Sequence, residues 1–281
     1  MLIRIAHSPD ADDAFMFYPL TAGVIDTEDL QIEHVLADIQ TLNESAMKGV
    51  YEVSAVSFHV YPYISDKYLV LPSGASMGEG YGPLVVAKED IKSLKGGKVA
   101  VPGLLTTAYL VLKLYEPDFE PVVYPFDRVI DAVLSGEVKA GLVIHEGQLS
   151  YKDKGLLKVV DLGEWWQSQT GLPLPLGGNV VRKDLGREVI KKIERLMRKS
   201  VEYALLHKEE ALSFALRYAR EIKEDRAKVD RFVGMYVNHR TLDYGEDGRR
   251  AVRLLLKMGY ERGIIKVPPP KVIFSDEEDY L

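Results

Sequence analysis

Short apolar runs alternate with amphipathic stretches through the first two-thirds of the chain, and the alternation stops near Asp184. Runs of four to six residues rich in Val, Ile, Leu and Tyr predict strands over Leu2–Ala6, Gln31–Leu36, Val53–Phe58, Tyr68–Pro72, Pro83–Lys88, Lys98–Pro102, Pro121–Tyr124, Lys139–Ile144, Lys158–Asp161 and Gly178–Arg182. Helices are predicted between them over Asp12–Ala22, Ile39–Lys48, Thr106–Tyr115, Asp127–Leu134 and Gly163–Gln169. Beyond Asp184 only helical patterns follow, over Arg187–His207, Glu209–Tyr218, Glu224–Asn238 and Gly245–Gly263. In Glu188–Leu206, Val189, Ile190, Ile193, Leu196, Met197, Val201, Ala204 and Leu205 recur at the helical period. Strands alternating with helices imply an α/β fold with a largely parallel sheet.

An internal echo suggests two similar lobes. Leu42–His59 reads as helix, Gly49, strand and Ser57-Phe58-His59, while Val129–His145 reads as helix, Gly136, strand and Ile144-His145. The spacing from Gly to His is ten residues in the first unit and nine in the second. Each unit would offer a strand end to a shared cleft. The segments Pro83–Lys88 and Gly177–Arg182 are the candidate crossings between lobes. Lobe one is then 1–86 with 179–281, and 87–178 is an inserted lobe two. Two connecting strands would let the lobes close by a hinge over a ligand.

Composition narrows the function classes. At 281 residues the chain can bury a sizeable core, and 47% hydrophobic with 28% charged residues is ordinary for a globular protein. A net charge of −6 without a basic stripe argues against nucleic-acid binding. With no cysteine, disulfides, thiolate catalysis and Cys-ligated metals are excluded. The N-terminus lacks the pattern of a secretory signal, and no apolar run approaches a membrane span, so a cytoplasmic protein is expected.

The run Val143-Ile144-His145-Glu146-Gly147 puts a histidine where a buried strand ends. Ligands of open α/β sheets bind beyond the carboxyl ends of strands, and imidazole suits general-base work near neutrality. The other reading is a structural histidine bonded to a neighbouring carbonyl. Glu146 is expected to be a surface or hinge residue. Strand, turn and helix start also follow one another at Val99–Ala108, where Thr106 is a natural N-cap. The first-turn amides beside Thr107 form an anion site for a carboxylate or phosphate. In Ser8-Pro9-Asp10-Ala11-Asp12-Asp13, helix capping suits Asp10 and Asp12, and Asp13 is a candidate to bond a ligand hydroxyl. The glycines of Gly74–Pro83 lead into a strand rather than a helix, which fits a flexible cleft-side loop better than a phosphate loop. His7 and His59 are further cleft candidates. His34, His207 and His239 have surface or capping roles as their default, and Trp165-Trp166 is read mainly as packing. No metal-ligand spacing and no nucleophile-elbow motif occur. Ser275-Asp276-Glu277-Glu278-Asp279 is read as a solvated tail.

Several motifs together resemble the 1,4-dihydroxy-6-naphthoate synthase family of the futalosine route to menaquinone, essentially end to end. They are Ser8-Pro9 through Asp13 with Phe15, Asp38 with Thr41-Leu42-Asn43, Val56-Ser57, Gly82–Ala87, Pro102-Gly103 with Thr106-Thr107-Ala108, Ile144–Gly147, and Tyr236-Val237-Asn238 with Thr241-Leu242-Asp243. The resemblance implies a two-lobed, type II periplasmic-binding-protein-like fold with mixed, mostly parallel sheets. The implied activity is the conversion of cyclic dehypoxanthine futalosine to 1,4-dihydroxy-6-naphthoate, a carbon–carbon lyase reaction. The implied proton acceptor is His145, and the implied substrate contacts are Ala55, Val56, Ser57, Thr107 and Ala108. The family often has lysine at the position of Ala55, and commonly reads Cys-Pro-Asn-Asp-Thr where this chain has Asp10-Ala11-Asp12-Asp13-Ala14. No cofactor and no metal are expected. The expected partner is a small-molecule carboxylate substrate, with no nucleic acid, no membrane span, and a homodimer as the candidate assembly. The alternatives are the chorismate dehydratase of the same pathway and a non-catalytic solute-binding protein for an organic acid.

Overall fold

The structure is a computed structural model, and residues 1–277 of it are described. Two sheets organise the chain. The first has the strand order β2-β1-β3-β11-β4, with β5 also paired to β11. Its strands are β1 (Leu2–His7), β2 (Gln31–Leu36), β3 (Val53–Ser57), β4 (Tyr68–Val70), β5 (Ser76–Gly78) and β11 (Leu174–Arg182). The second has the order β10-β6-β9-β7-β8, from β6 (Leu84–Ala87), β7 (Lys98–Val101), β8 (Glu120–Val123), β9 (Ala140–Val143) and β10 (Leu157–Asp161). β1 pairs parallel with β2 and β3, and β7 pairs parallel with β8 and β9. Every pairing made by β6 or β11 is antiparallel. The sheets are therefore mixed because these two strands enter each lobe against its grain.

The two segments expected to cross between lobes each stay within one sheet. β6 is an inner strand of the second sheet and β11 an inner strand of the first. The chain changes sheet between β5 and β6 and again before β11. Close backbone contact marks this place, since a Cβ on Gly163 would lie 2.0 Å from the Tyr81 carbonyl oxygen. β11 also begins earlier than expected. Pro175, Gly177 and Gly178 lie within the strand, where the pairing with β5 shifts register between Pro175 and Gly177. Gly74–Pro83, expected as a loop, contains β5 for the same reason.

The helices are α1 (Ala11–Thr21), α2 (Ile39–Met47), α3 (Tyr61–Ile64), α4 (Thr107–Tyr115), α5 (Val129–Ser135), α6 (Gly147–Ser150), α7 (Leu162–Thr170), α8 (Arg187–Leu206), α9 (Lys208–Ala215), α10 (Arg226–Tyr236), α11 (His239–Leu242) and α12 (Gly245–Glu261). Local chemistry sets several ends. Asp38 caps α2 by accepting from the amides of Gln40 and Thr41, and Asp161 caps α7 through Gly163 and Glu164. The helix expected over Glu224–Asn238 stops at Tyr236, because Asn238 and Thr241 form a capping box that starts α11. α1, α8, α9 and α10 cover the first sheet with a core that includes Ile3, Ile5, Phe15, Phe17, Ile193 and Phe232. A second core runs beneath both sheets and joins Val56, Phe58 and Val70 to Val85, Leu110, Trp166 and Leu255. Trp166 is fully buried and donates from Nε1 to the Pro173 carbonyl, which confirms packing as its use.

The expected solvated tail is docked as far as Glu277. Ser275 is fully buried, and Asp276 holds Arg249 in two hydrogen bonds of 2.7 Å. Long-range partners some 27 residues upstream decide this, and no local pattern announces them. Glu278 and Asp279 lie outside the described residues. Among the described residues no helix is long and apolar enough to cross a membrane.

Candidate functional site

One cavity of about 860 Å³, including its mouth, opens where the ends of β1, β3 and β9 meet the start of α4. His145, Ala55, Val56, Ser57, Thr107, Ala108 and Asp13 all line it. Residues separated by up to 132 positions are thus brought to one wall system, with both sheets contributing.

His145 follows β9 at φ 56°, in the left-handed region that few residues other than glycine occupy. Its ring meets Phe126 edge-on at 4.8 Å between centroids. Nδ1 lies 3.2 Å from Oδ2 of Asp10, which is buried and also accepts from Ser8 Oγ at 2.6 Å. Nε2 is buried and has no hydrogen-bond partner. When Nδ1–H donates to Asp10, the neutral ring keeps its lone pair on Nε2, which is the arrangement a proton acceptor needs. Asp10 occupies the cap position of α1, yet its side chain makes no capping hydrogen bond. The capping expected of Asp10 is therefore replaced by a hydrogen bond to the imidazole.

The other two acids differ. Asp13 Oδ2 accepts from the Ser8 amide at 2.8 Å, a reach back from the first turn of α1. Asp12 does not cap either, and its Oδ1 is buried without a partner at the cavity wall. Burial, with Asp13 and Asp10 beside it, pushes the Asp12 carboxyl well above the usual carboxylate range. Burial likewise raises Asp13, against the pull of the Ser8 amide. A protonated carboxyl here would present a donor to a ligand.

Ser57, at the end of β3, is fixed by Asn43. The Ser57 amide donates to Asn43 Oδ1 at 2.9 Å, and Asn43 Nδ2 donates to Ser57 Oγ at 3.1 Å and to the Leu105 carbonyl at 3.3 Å. Thr106 is the cap of α4, as expected, accepting from the Tyr109 amide at 3.2 Å. Thr107 Oγ1 accepts from the His59 amide at 3.3 Å. The remaining first-turn amides, those of Thr107 and Ala108, have no intrahelical acceptor.

Two of the expected cleft histidines are elsewhere. His7 stacks on Phe17 at 4.3 Å and bonds His34 through Nε2 at 3.1 Å; burial and His34 push its pKa down to about 3. His59 is buried behind α4 with Nδ1 on the Thr106 carbonyl at 3.2 Å, and burial lowers its pKa to about 4. Neither lines the cavity. A strand-end position says where a residue sits along the chain but not toward which side its ring turns.

Several lining residues were missed from sequence. Asn179 donates to the Gly74 carbonyl at 3.0 Å and leaves Oδ1 unpartnered, and Tyr236 OH donates to Gln148 Oε1 at 2.6 Å. Tyr236 and Thr241 belong to motifs quoted above, but helical residues so far along the chain carry no local sign of the cavity. Among the described residues no group of three or more His, Asp or Glu is arranged to hold a metal ion.

Residues 3–261 match the family model described as menaquinone biosynthesis. The chain belongs to the menaquinone biosynthesis family. It is 43% identical over 272 residues to a 1,4-dihydroxy-6-naphthoate synthase of Thermus thermophilus, covering 97% of this chain and 98% of the relative. It is 38% identical over 277 residues to one of Streptomyces coelicolor, covering 96% and 97%. A crystal structure of an Archaeoglobus fulgidus protein, 52% identical, superposes with a TM-score of 0.91 over 94% of this chain and 98% of that one. A Candida albicans protein described as having the generic periplasmic-binding-protein fold superposes at TM-score 0.63 with 14% identity over the full length of both, and shows the fold alone. The α/β, two-sheet architecture is of this binding-protein type, carried by an enzyme of menaquinone biosynthesis.

Proposed function

We propose that the chain converts cyclic dehypoxanthine futalosine to 1,4-dihydroxy-6-naphthoate with release of a small sugar-derived fragment, as a carbon–carbon lyase with His145 as general base. The observation that carries this reading is the unpartnered Nε2 of His145 at the cavity, with Nδ1 tied to Asp10. The names of its relatives in Thermus and Streptomyces support the product. Breaking a carbon–carbon bond beside a carbonyl needs a base to take a proton from the substrate, and donors for the oxyanion that develops. Nε2 supplies the first. The amides of Thr107 and Ala108 and the Ser57 hydroxyl supply the second or hold the substrate carboxylate. Asp13, through its oxygen not committed to Ser8, bonds a substrate hydroxyl, and Ala55 and Val56 give the ring system an apolar floor. No cofactor is required for these steps.

The two sheets with their helices are the lobes that close on the substrate and exclude water. The division 1–86 with 179–281 around 87–178 enters this proposal with both boundaries moved to the strand starts, because β6 (Leu84–Ala87) lies whole in the second sheet and β11 (Leu174–Arg182) whole in the first. The proposal keeps the expectation of a cytoplasmic protein, with a homodimer as the candidate assembly. Incubation with the cyclic futalosine derivative tests the reading, with naphthoate release followed over many turnovers. Multiple turnovers are expected. Stoichiometric binding without product would instead make the chain a solute-binding protein, and turnover of chorismate would make it the dehydratase.

A further inference from the structure

Beside the proposed base lies a side chain that no step above uses. Glu146 is 6% exposed, and its carboxylate is received by a loop of the other lobe. Oε2 accepts from three successive amides between α9 and α10, those of Arg220 at 3.0 Å, Glu221 at 2.8 Å and Ile222 at 3.4 Å. Three consecutive N–H groups on one carboxylate form the concavity that backbone uses to hold anions. Two side chains of α6 are also tied to this side of the molecule, Gln148 Oε1 accepting from Tyr236 OH at 2.6 Å and Ser150 Oγ donating to Glu221 Oε2. Lys154–Glu221 at 2.9 Å and Lys228–Asp153 at 2.7 Å are solvent-accessible ion pairs, each worth little in water.

The preceding residue is His145, whose left-handed backbone persists only where the surroundings over-determine it. Asp10 holds the ring from lobe one, and the amides of 220–222 in that same lobe hold the carboxylate of Glu146, the next residue along. We propose that Glu146 is the positioning residue that pins the His145 turn against lobe one, so that seating lobe two and aiming Nε2 into the cavity are one event. The expectation of a surface or hinge residue is replaced by a buried anchor. This inference rests on the reading of His145 as the base.

Three variants and two readouts test it. Glu146→Ala removes the anchor, Glu146→Gln keeps its shape and one acceptor oxygen, and Lys154→Met breaks only a rim pair between the same elements. The readouts are kcat and KM with the cyclic futalosine derivative, and nitrogen NMR of imidazole-labelled protein, with the His145 signals assigned by their loss in His145→Ala. Glu146→Ala is expected to lower kcat about 100-fold with KM changed less than about threefold, the scale of a roughly 1 Å misplacement. His145 should pass from one tautomer to an exchanging mixture. Glu146→Gln should fall between, and Lys154→Met should leave both readouts at wild-type values. Wild-type kcat and an unchanged tautomer in folded Glu146→Ala would overturn the proposal, as would equal losses in Lys154→Met. Should Glu146→Ala not fold, an unchanged kcat and tautomer in Glu146→Gln overturns it. Full turnover by His145→Ala would sink the base reading instead, while the NMR arm still decides whether Glu146 holds the ring.

Discussion

At the end of β3, Ser57 has its amide and its hydroxyl both bonded to one buried asparagine, Asn43. At the end of β9, His145 has one ring nitrogen tied to Asp10 and the other left without a partner. The two ends follow similar helix–glycine–strand units, with Gly49 at φ 70° and Gly136 at φ 82° making the turns. Their roles diverge in how completely the polar groups are satisfied. An end held at both groups by Asn43 is a rigid wall that fixes where the Ser57 hydroxyl stands at the cavity. A held ring with a free nitrogen is a reactive group kept ready, and its strained backbone is maintained by contacts from the opposite lobe. Damage to the first should appear in stability, and damage to the second in turnover.

Asp10→Asn should give the largest effect short of removing the ring itself. The amide can offer its N–H to Nδ1, which would favour the tautomer with the proton on Nε2, and kcat should fall by about 100-fold or more, as when a triad aspartate is neutralised. The melting temperature should move little, and steady-state kinetics with thermal melts would separate the two. Asn43→Ala should do the reverse. It strands the buried Ser57 amide, costing about 1–3 kcal/mol of stability in denaturant titration, with kcat within about tenfold. A large loss of kcat at unchanged stability would erase the contrast between the two ends.

A smaller effect concerns His59, the residue that echoes His145 in sequence. Burial lowers its pKa from 6.5 to about 4, so between those values the unfolded chain binds a proton that the folded chain refuses. Its stabilising contribution is complete above pH 6.5 and is lost as pH falls toward 4. His59→Asn, which keeps a donor for the Thr106 carbonyl, should flatten the fall of melting temperature between pH 7 and pH 4.5 while leaving kcat within a few-fold at pH 7. An unchanged slope would mean that His59 stays hydrated.

Much of the fold was legible because periodicity survives in single elements: the β1, β2 and β7 strands and the apolar stripe of α8 all lie where the pattern put them. Strand direction was not, since β6 and β11 read like any buried strand and only their connections make them antiparallel. At the site, the strand end at His145 and the helix start at Thr107 were visible as local punctuation. An acid before a helix is normally its cap, and only the fold brings the end of β9 to Asp10. Glu146 looked exposed for the same reason, as its three amide partners lie 74 to 76 residues away. His7 and His59 shared the strand-end signature yet turn into packing, so position along a strand predicted proximity to the cavity without predicting access to it.

The central claim is that His145 transfers the proton, and the most direct measurement compares His145→Ala with the wild type for both binding and turnover of the cyclic futalosine derivative. The account predicts substrate binding within a few-fold of wild type, an unchanged melting profile, and naphthoate formation reduced by about 10²–10⁴-fold. Near-normal naphthoate formation by the alanine variant would contradict it.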